Sequence, residues 1–476
     1  MEEGYIKQSD RKKILLLTDD IRVHSGVAQI GRELVMNTVG HYNWVQLAGS
    51  IKHPDKGKIQ DLSQEVNKER NIEDSYVKLY PVDGYGDENV LREIIKTEKP
   101  DAILLITDPR YFMWLFQMEE EIRSNIPIAY LNIWDDMPAP QYNEEFYESC
   151  DALFGISKQT VAINKIVLGK KADSKVIKYV PHGLDDKKFF PIDDISGEYL
   201  KFKNQITHNN EKEFILFFNS RNIRRKSIPD ALLAWKLFTD NLSSEEKEKC
   251  LFVLHTEPTS DHGTDLMAVI EYLFGENEKS IVISNQKLHH EHMNYLYNMA
   301  DGVVLLSSAE GWGLSLTEAL LTGTPIIANV TGGMQDQMRF EDGDGKWYTN
   351  DVDIPSNHKG TYKTHGEWAL PVYPKALSLV GSPTTPYIWD DRCDAEDAAI
   401  RISELYNMNP TDRKKIGESG RKWAIGDEAG FTAEKMAKIF TSGMEELFST
   451  WSPREKFVFL KDTDFETRVL KHKLSY

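Results

Sequence analysis

Cysteine is scarce in this chain. Cys150, Cys250 and Cys393 are its 3 cysteines in 476 residues and stand far apart with no paired spacing, which argues against a disulfide framework or a zinc knuckle and for a reducing compartment. No run approaches the roughly 18 apolar residues that a membrane helix needs. The opening MEEGYIKQSDRKK lacks the apolar core of a signal peptide, so a cytoplasmic protein without a transmembrane segment is expected. Positive charge is in deficit: 57 Lys and Arg against 75 Asp and Glu leave a net charge of −18, which disfavours nonspecific attraction to nucleic acid or anionic lipid. Low-complexity tracts are missing too. What is present, 40% hydrophobic residues and 10 Trp, is ample material for packing, and the length suggests two or three domains.

The most informative stretch is Ser307 to Gly333, SSAEGWGLSLTEALLTGTPIIANVTGG. An apolar strand-like run, DGVVLLSS, delivers a turn at Glu310-Gly311-Trp312-Gly313, and a helix with Glu318 near its start follows. A strand that feeds a helix N-terminus through glycines is an anion site, because unpaired N–H groups and a partial positive charge meet a backbone that a ligand can approach closely. Glu310 and Glu318 bracket the turn. Carboxylates do not bind phosphate, but they accept hydrogen bonds from sugar hydroxyls, so the pair suggests a sugar nucleotide.

The same residues, E-G-W-G-L-x-L-x-E-A-x-x-x-G-x-P-I-I-A, resemble the Glu-x7-Glu signature of family 4 glycosyltransferases, retaining enzymes of the GT-B fold. The resemblance is specific over 213–335 and looser over 1–190. It implies an α/β architecture of two Rossmann-like parallel-sheet domains facing across a cleft, with a nucleotide-sugar donor held by the second domain and an acceptor by the first. Glu318 would hold the ribose hydroxyls and Glu310 those of the donor sugar, with Gly311, Trp312, Gly313 and Leu314 beside the sugar and phosphate. The run Asn219-Ser220-Arg221-Asn222-Ile223-Arg224-Arg225-Lys226 resembles the family's Gly-Arg-x-x-x-x-Lys-Gly segment, which assigns Arg221 and Lys226 to the diphosphate.

Along the chain, strands alternate with helices over about 180 residues, as a doubly wound parallel sheet requires. The strand-end loops hold Gly26, Asp108, Asp135 and Asp136, where ligands of such sheets bind. Two departures from the family pattern fall here. Ser25 replaces the first of two usual glycines, leaving Gly26 as the donor-side glycine, and Trp134-Asp135-Asp136 stands where many relatives carry a histidine-aspartate pair. Asp108, Asp135 and Asp136 are the acceptor-side candidates. The expected divisions are 1–191 for the acceptor-side domain, 192–212 for a polar linker, 213–430 for the donor domain and 431–476 for a crossover helix and tail. Residues 339–390, with Trp347, Tyr348, Tyr362, Trp368, Tyr373, Tyr387 and Trp389 but little periodicity, read as a lid, an acceptor platform or packed surface loop.

The expected reaction is transfer of a sugar from a nucleotide-sugar donor to an acceptor hydroxyl, with a carbohydrate or small-molecule acceptor favoured. Retention in this family is explained by same-face attack, with the leaving phosphate taking the acceptor's proton. No cofactor beyond the donor is implied and no metal: an Asp-x-Asp motif is lacking at the strand ends, and the adjacent His290, Glu291 and His292 cannot converge on one point of a helix. Two other classes stay open. A DNA base glycosyltransferase of phage type would use the aromatic insertion and the lysines Lys165, Lys170, Lys171, Lys175 and Lys178 to hold a flipped base. A noncatalytic nucleotide- or carbohydrate-binding protein could keep the same fold.

Overall fold

The computed structural model describes residues 4–193, 197–209, 212–276, 278–349 and 356–455. Its first sheet runs in the order β3-β4-β2-β1-β5-β6-β7-β8, from β1 (Lys13–Asp19), β2 (Asn43–Ser50), β3 (Gln60–Asp61), β4 (Val77–Asp83), β5 (Ala102–Ile106), β6 (Ile128–Asn132), β7 (Ala152–Gly155) and β8 (Val176–Tyr179). Only β3 pairs antiparallel. In β1, Ile14 and Leu16 enter one hydrophobic cluster while Leu15 and Leu17 enter another, and all four are buried. Helices cover both faces, which is why the strand reads as a continuous apolar run rather than an alternating one.

The second sheet is fully parallel in the order β11-β10-β9-β12-β13-β14: β9 (Phe214–Asn219), β10 (Cys250–His255), β11 (Ile281–Ser284), β12 (Gly302–Leu305), β13 (Ile326–Asn329) and β14 (Ala369–Val372). The two sheets are the Rossmann-like halves of a GT-B fold. Between them the chain crosses twice, side by side. Leu184 N–H donates to Phe431 O at 3.1 Å and Ala433 N–H to Leu184 O at 2.8 Å. Gly183 makes that approach possible, since a Cβ there would lie 2.2 Å from Thr432 O. The helix Ala433–Thr450 then returns to the first domain, where Phe440 stacks on Trp44 at 6.3 Å and Glu445 accepts a hydrogen bond from the Tyr42 hydroxyl at 2.8 Å.

Two stretches differ from expectation, and a third takes one of the alternatives left open for it. The sequence Met113–Ser124 reads as one helix, but it is broken at Met118 into Met113–Gln117 and Glu119–Arg123. Residues 192–212 are not a plain linker, because Gly197–Ile206 is a helix. Tyr199 and Phe202, three positions apart on one face, dock it against Tyr295 and His292 of the second domain. The segment 339–390 is neither a lid nor an aromatic platform. Ala369–Val372 is the edge strand of the second sheet, and Pro374–Ser382 (β15) pairs with Thr385–Cys393 (β16) as an antiparallel hairpin. Its aromatics are spent on packing: Tyr348 is 1% exposed, Trp368 is 4% exposed and Trp368 stacks on Trp423 at 5.0 Å. Repeating polar–apolar periodicity was absent because these rings fill the end of the second domain rather than one side of a regular element. Residues 350–355 of this stretch and 456–476 of the expected tail lie outside the described residues.

The hairpin reaches the first domain. Trp389 N–H donates to Met137 O at 2.7 Å, Tyr142 donates its hydroxyl to Tyr387 O at 2.8 Å, and the Tyr142 and Tyr387 rings meet edge to face at 4.8 Å.

Candidate active site

Both sheets reverse their strand order next to a central strand: β1 lies between β2 and β5, and β9 between β10 and β12. The crevice at the carboxyl ends of such strands is where ligands of open parallel sheets bind. In the first sheet those ends carry Asp19, Ser25, Gly26 and Asp108; in the second they carry Asn219, Arg225, Lys226 and Glu310. Two surface concavities lie elsewhere. One of about 800 Å³ lies beside Met267, Ile270 and Ile283, and one of about 400 Å³ beside Phe116 and Phe146; no catalytic grouping converges in either.

The two walls of the crevice touch at helix N-termini. The helix Gly26–Thr38 is capped by Ser25, whose Oγ accepts from Ala28 N–H at 3.0 Å. The helix Leu314–Thr322 starts after Gly313, whose φ of +88° suits glycine, and has no side-chain cap. A Cβ on Gly26 would lie 3.2 Å from Leu314 Cδ1. Two positive dipole ends thus meet in one place.

Glu310 sits beside them, 8% exposed. Arg225 Nη1 donates to its Oε2 at 2.8 Å and to Ala309 O at 2.8 Å, and Lys226 Nζ makes a short contact with the same Oε2. Burial by itself would raise the Glu310 carboxyl, but Arg225 and Lys226 hold it down to about 2. Burial depresses Lys226, and it raises Asp135, whose Oδ2 lies 3.7 Å from Arg225 Nε. The expected Arg221 is not part of this cluster. It is exposed and shows no side-chain hydrogen bond or ion pair among the described residues. The loop doubles back so that Ser308 N–H donates to Arg225 O at 2.8 Å, which brings Arg225 and Lys226 to Glu310 and leaves Arg221 exposed outside the cluster. Arg225 stood in the quoted run, but the register pointed to Arg221.

Glu318 is buried at 7% exposure and accepts from Asn219 Nδ2 at 3.1 Å and from the Tyr297 hydroxyl in a short contact. Burial pushes its carboxyl up to about 7, against those two donors. Neither Asn219 nor Tyr297 stood out in the sequence as a site residue. The turn between the glutamates is packed backbone to backbone: a Cβ on Gly311 would lie 2.7 Å from Ile133 O, and Gly333 N–H donates to Glu310 O at 2.9 Å. Trp312 turns its ring inward, donating Nε1–H to Thr317 Oγ1 at 2.9 Å and meeting Phe431 edge to face at 5.0 Å. Only its backbone borders the turn.

On the first domain, Asp108 is committed to Arg110, accepting from its backbone N–H at 2.9 Å and from Nη2 at 2.6 Å. Asp135 is half-buried and borders the cluster. Asp136 is 0% exposed, so it is no acceptor-binding group. Its Oδ2 lies 2.7 Å from Thr331 Oγ1, which lies 2.7 Å from Asp391 Oδ2 of the hairpin. Of the lysines considered for DNA, Lys171 pairs with Glu144 and Glu148, Lys175 donates to Cys150 O and Glu148 O, and Lys178 pairs with Glu446; the aromatic insertion packs inward as above.

Comparison with known proteins fits this geometry. The profile of the family described as glycosyl transferases group 1 matches residues 201–351. Mannosylfructose-phosphate synthase of Agrobacterium fabrum is 24% identical over 204 residues, a match that spans 41% of this chain and 41% of that protein. Among solved structures, sucrose-phosphate synthase from Thermosynechococcus elongatus superposes with a TM-score of 0.65 at 14% identity, covering 92% of this chain and 100% of that one. Anabaena Alr3699/HepE in complex with UDP and glucose gives 0.61 at 14% identity, covering 92% and 100%. At such identities the structural likeness carries the fold. Residues 201–351 are therefore similar to the glycosyl transferases group 1 family, and they lie within a two-domain GT-B fold.

Proposed function

We propose that this chain is a retaining glycosyltransferase that moves a sugar from a nucleotide-sugar donor to an acceptor hydroxyl. The observation that carries the reading is the Glu310–Arg225–Lys226 cluster beside the uncapped helix start at Leu314. Departure of a nucleoside diphosphate builds negative charge on phosphate oxygens. Cations and N–H groups already in place stabilise that charge without reorganising, so they favour the transition state over the ground state. Glu310 neutralises the buried Lys226 and the half-buried Arg225 and offers its remaining oxygen to donor-sugar hydroxyls. Arg221, exposed on the same loop, is the cation proposed to meet the diphosphate as it enters. Glu318, held by Asn219 and Tyr297, accepts the ribose hydroxyls.

On the acceptor side no histidine stands at Trp134–Asp136. Asp135 is the carboxylate that borders the cations and is the group proposed to orient the acceptor hydroxyl, whose proton passes to the leaving phosphate. The proposed substrates of this chain follow the relatives: HepE is described with UDP-glucose, and the Agrobacterium fabrum relative is a mannosylfructose-phosphate synthase. A screen of UDP-, GDP- and ADP-sugars by thermal shift and hydrolysis tests the reading. A stabilising nucleotide sugar that is turned over, with both effects lost in Lys226→Ala, supports it; absence of binding and turnover with every donor overturns it.

A further inference from the structure

We propose that Tyr111, backed by Tyr85, is a stacking platform for the ring of a carbohydrate acceptor, an inference that rests on the glycosyltransferase reading above. Tyr111 is 57% exposed, and its ring lies 5.0 Å from that of Tyr85 at an interplanar angle of 23°. Both follow carboxyl ends of first-sheet strands, Tyr85 after β4 and Tyr111 after β5. An exposed aromatic on its own is ordinary; this one is built in from several sides.

Behind it, Tyr85 cannot yield. Its hydroxyl donates to Asp19 Oδ1 at 2.6 Å, its ring packs on Phe112 at 5.0 Å, and Gly49 leaves it room, since a Cβ there would lie 2.8 Å from Tyr85 Cδ1. The turn that presents Tyr111, Pro109–Phe112, is capped by Asp108 and follows Thr107, whose φ is 106°. That conformation is costly for a β-branched residue and persists only where the surroundings impose it; here the Tyr130 hydroxyl donates to Thr107 O at 3.0 Å.

The platform is joined to both walls of the cleft. Asp19 Oδ2 accepts from Ser25 Oγ at 2.6 Å, and Ser25 caps the helix whose Gly26 faces Leu314. On the other side the Arg110 guanidinium lies 5.2 Å over the Trp134 ring and donates to Asn143 Oδ1 at 3.1 Å, and Trp134 precedes Asp135. A ring lying on Tyr111 is therefore bordered by the cleft's diphosphate end and by the Asp108–Arg110 fork.

The chemistry selects a sugar. The C–H face of a saccharide carries partial positive charge and suits the negative face of an aromatic ring, while an edge hydroxyl can donate to a lone pair that Asp108 keeps beside its bonds from Arg110. A nucleobase also stacks, but a nucleic acid needs cations free for its phosphates. Three cations of the neighbouring loops are held in ion pairs: Arg22 with Asp20 and Asp55, Lys56 with Asp83 and Arg110 with Asp108.

The test is saturation-transfer difference NMR on the full chain, irradiating the aromatic envelope in the presence of methyl glycosides of glucose, mannose and fructose, with UDP, GDP and ADP binding measured in parallel by calorimetry. At least one glycoside is expected to show saturated ring C–H protons with the wild type and with Tyr111→Phe. The signal is expected to fall about tenfold with Tyr111→Ala, the scale of one lost stacking contact. Undiminished signal in Tyr111→Ala, no signal with the wild type, or Tyr111-dependent binding of an oligodeoxynucleotide in place of the glycosides would each overturn the platform. Nucleotide binding separates the two claims: with it retained, those outcomes defeat the platform alone, whereas its absence from the wild type defeats the glycosyltransferase reading.

Discussion

Gly26 and Leu314 meet across the cleft so closely that a single methyl group on the glycine would stand 3.2 Å from Leu314 Cδ1. The contact joins two helix starts on opposite domains, and its small size is what leaves the anion site open. Gly26→Ala is expected to fold normally, because alanine favours a helix and the leucine tip can shift. Nucleotide-sugar affinity is expected to fall about tenfold, or about 1.4 kcal/mol. Thermal unfolding and donor titration of the same preparation check both halves of the statement.

The cations at the β9 loop separate by exposure. Arg221→Ala removes an exposed, unpaired group and is expected to weaken donor binding while leaving the unfolding temperature within a degree or so of the wild type. Arg225→Ala strips a partner from buried Glu310 and is expected to lower both. Lys226→Ala is expected to lower the transfer rate by about 10²-fold or more, the usual loss when one preorganised charge is removed from a transition state.

Glu318 makes the site sensitive to pH. Its carboxyl is raised to about 7 by burial, and the ionised form is the better acceptor for two ribose hydroxyls, so donor affinity is expected to climb as pH rises through about 7 and then level off. Stability runs the other way. A folded-state value above the unfolded one stabilises fully below the ordinary carboxylate range, and the contribution is lost as pH rises through about 7. Glu318→Gln should therefore gain more unfolding temperature over the wild type at about pH 8.5 than at about pH 5.5, while binding donor poorly at both. Melting curves at the two pH values decide it.

The Asp136–Thr331–Asp391 bridge ties the hairpin to the first domain. Thr331 has one proton to donate, and each of its neighbours is a carboxyl oxygen at 2.7 Å, so one carboxyl must carry a proton and donate. Burial, with each carboxylate's neighbours of like charge, raises both groups. The bridge is thus intact at low pH and is lost as pH rises through the raised values. Asp136→Asn, whose amide oxygen can still accept from Met137 N–H while its NH2 donates to Thr331, is expected to keep the bridge without that proton and to flatten the pH dependence of domain separation measured by small-angle scattering; an unchanged pH profile would count against the shared proton.

Periodicity made both parallel sheets legible, because buried strands such as KILLLTD and FILFFN are unbroken apolar runs. The glycine turn between Glu310 and Glu318 was legible for the same local reason. What sequence could not convey is which side chain a folded loop turns inward. Arg225 rather than Arg221 meets Glu310 because of one backbone hydrogen bond to Ser308, and Asp136 is buried because a hairpin some 250 residues later covers it. The aromatics of 339–390 left a lid, a platform and surface packing open, and packing on one another and on Trp423 is what they do. A stacked pair with one ring exposed is Tyr85 and Tyr111, which come from two loops and carry no shared motif.

The most direct test of the central claim follows the anomeric carbon. The chain is incubated with the nucleotide sugar it binds best, and the configuration of the first-formed sugar product is read by proton NMR before mutarotation. The account predicts a product that keeps the donor's configuration and whose formation is lost in Lys226→Ala. A first product of inverted configuration would contradict retention, and the absence of any product from every nucleotide sugar would contradict the enzyme itself.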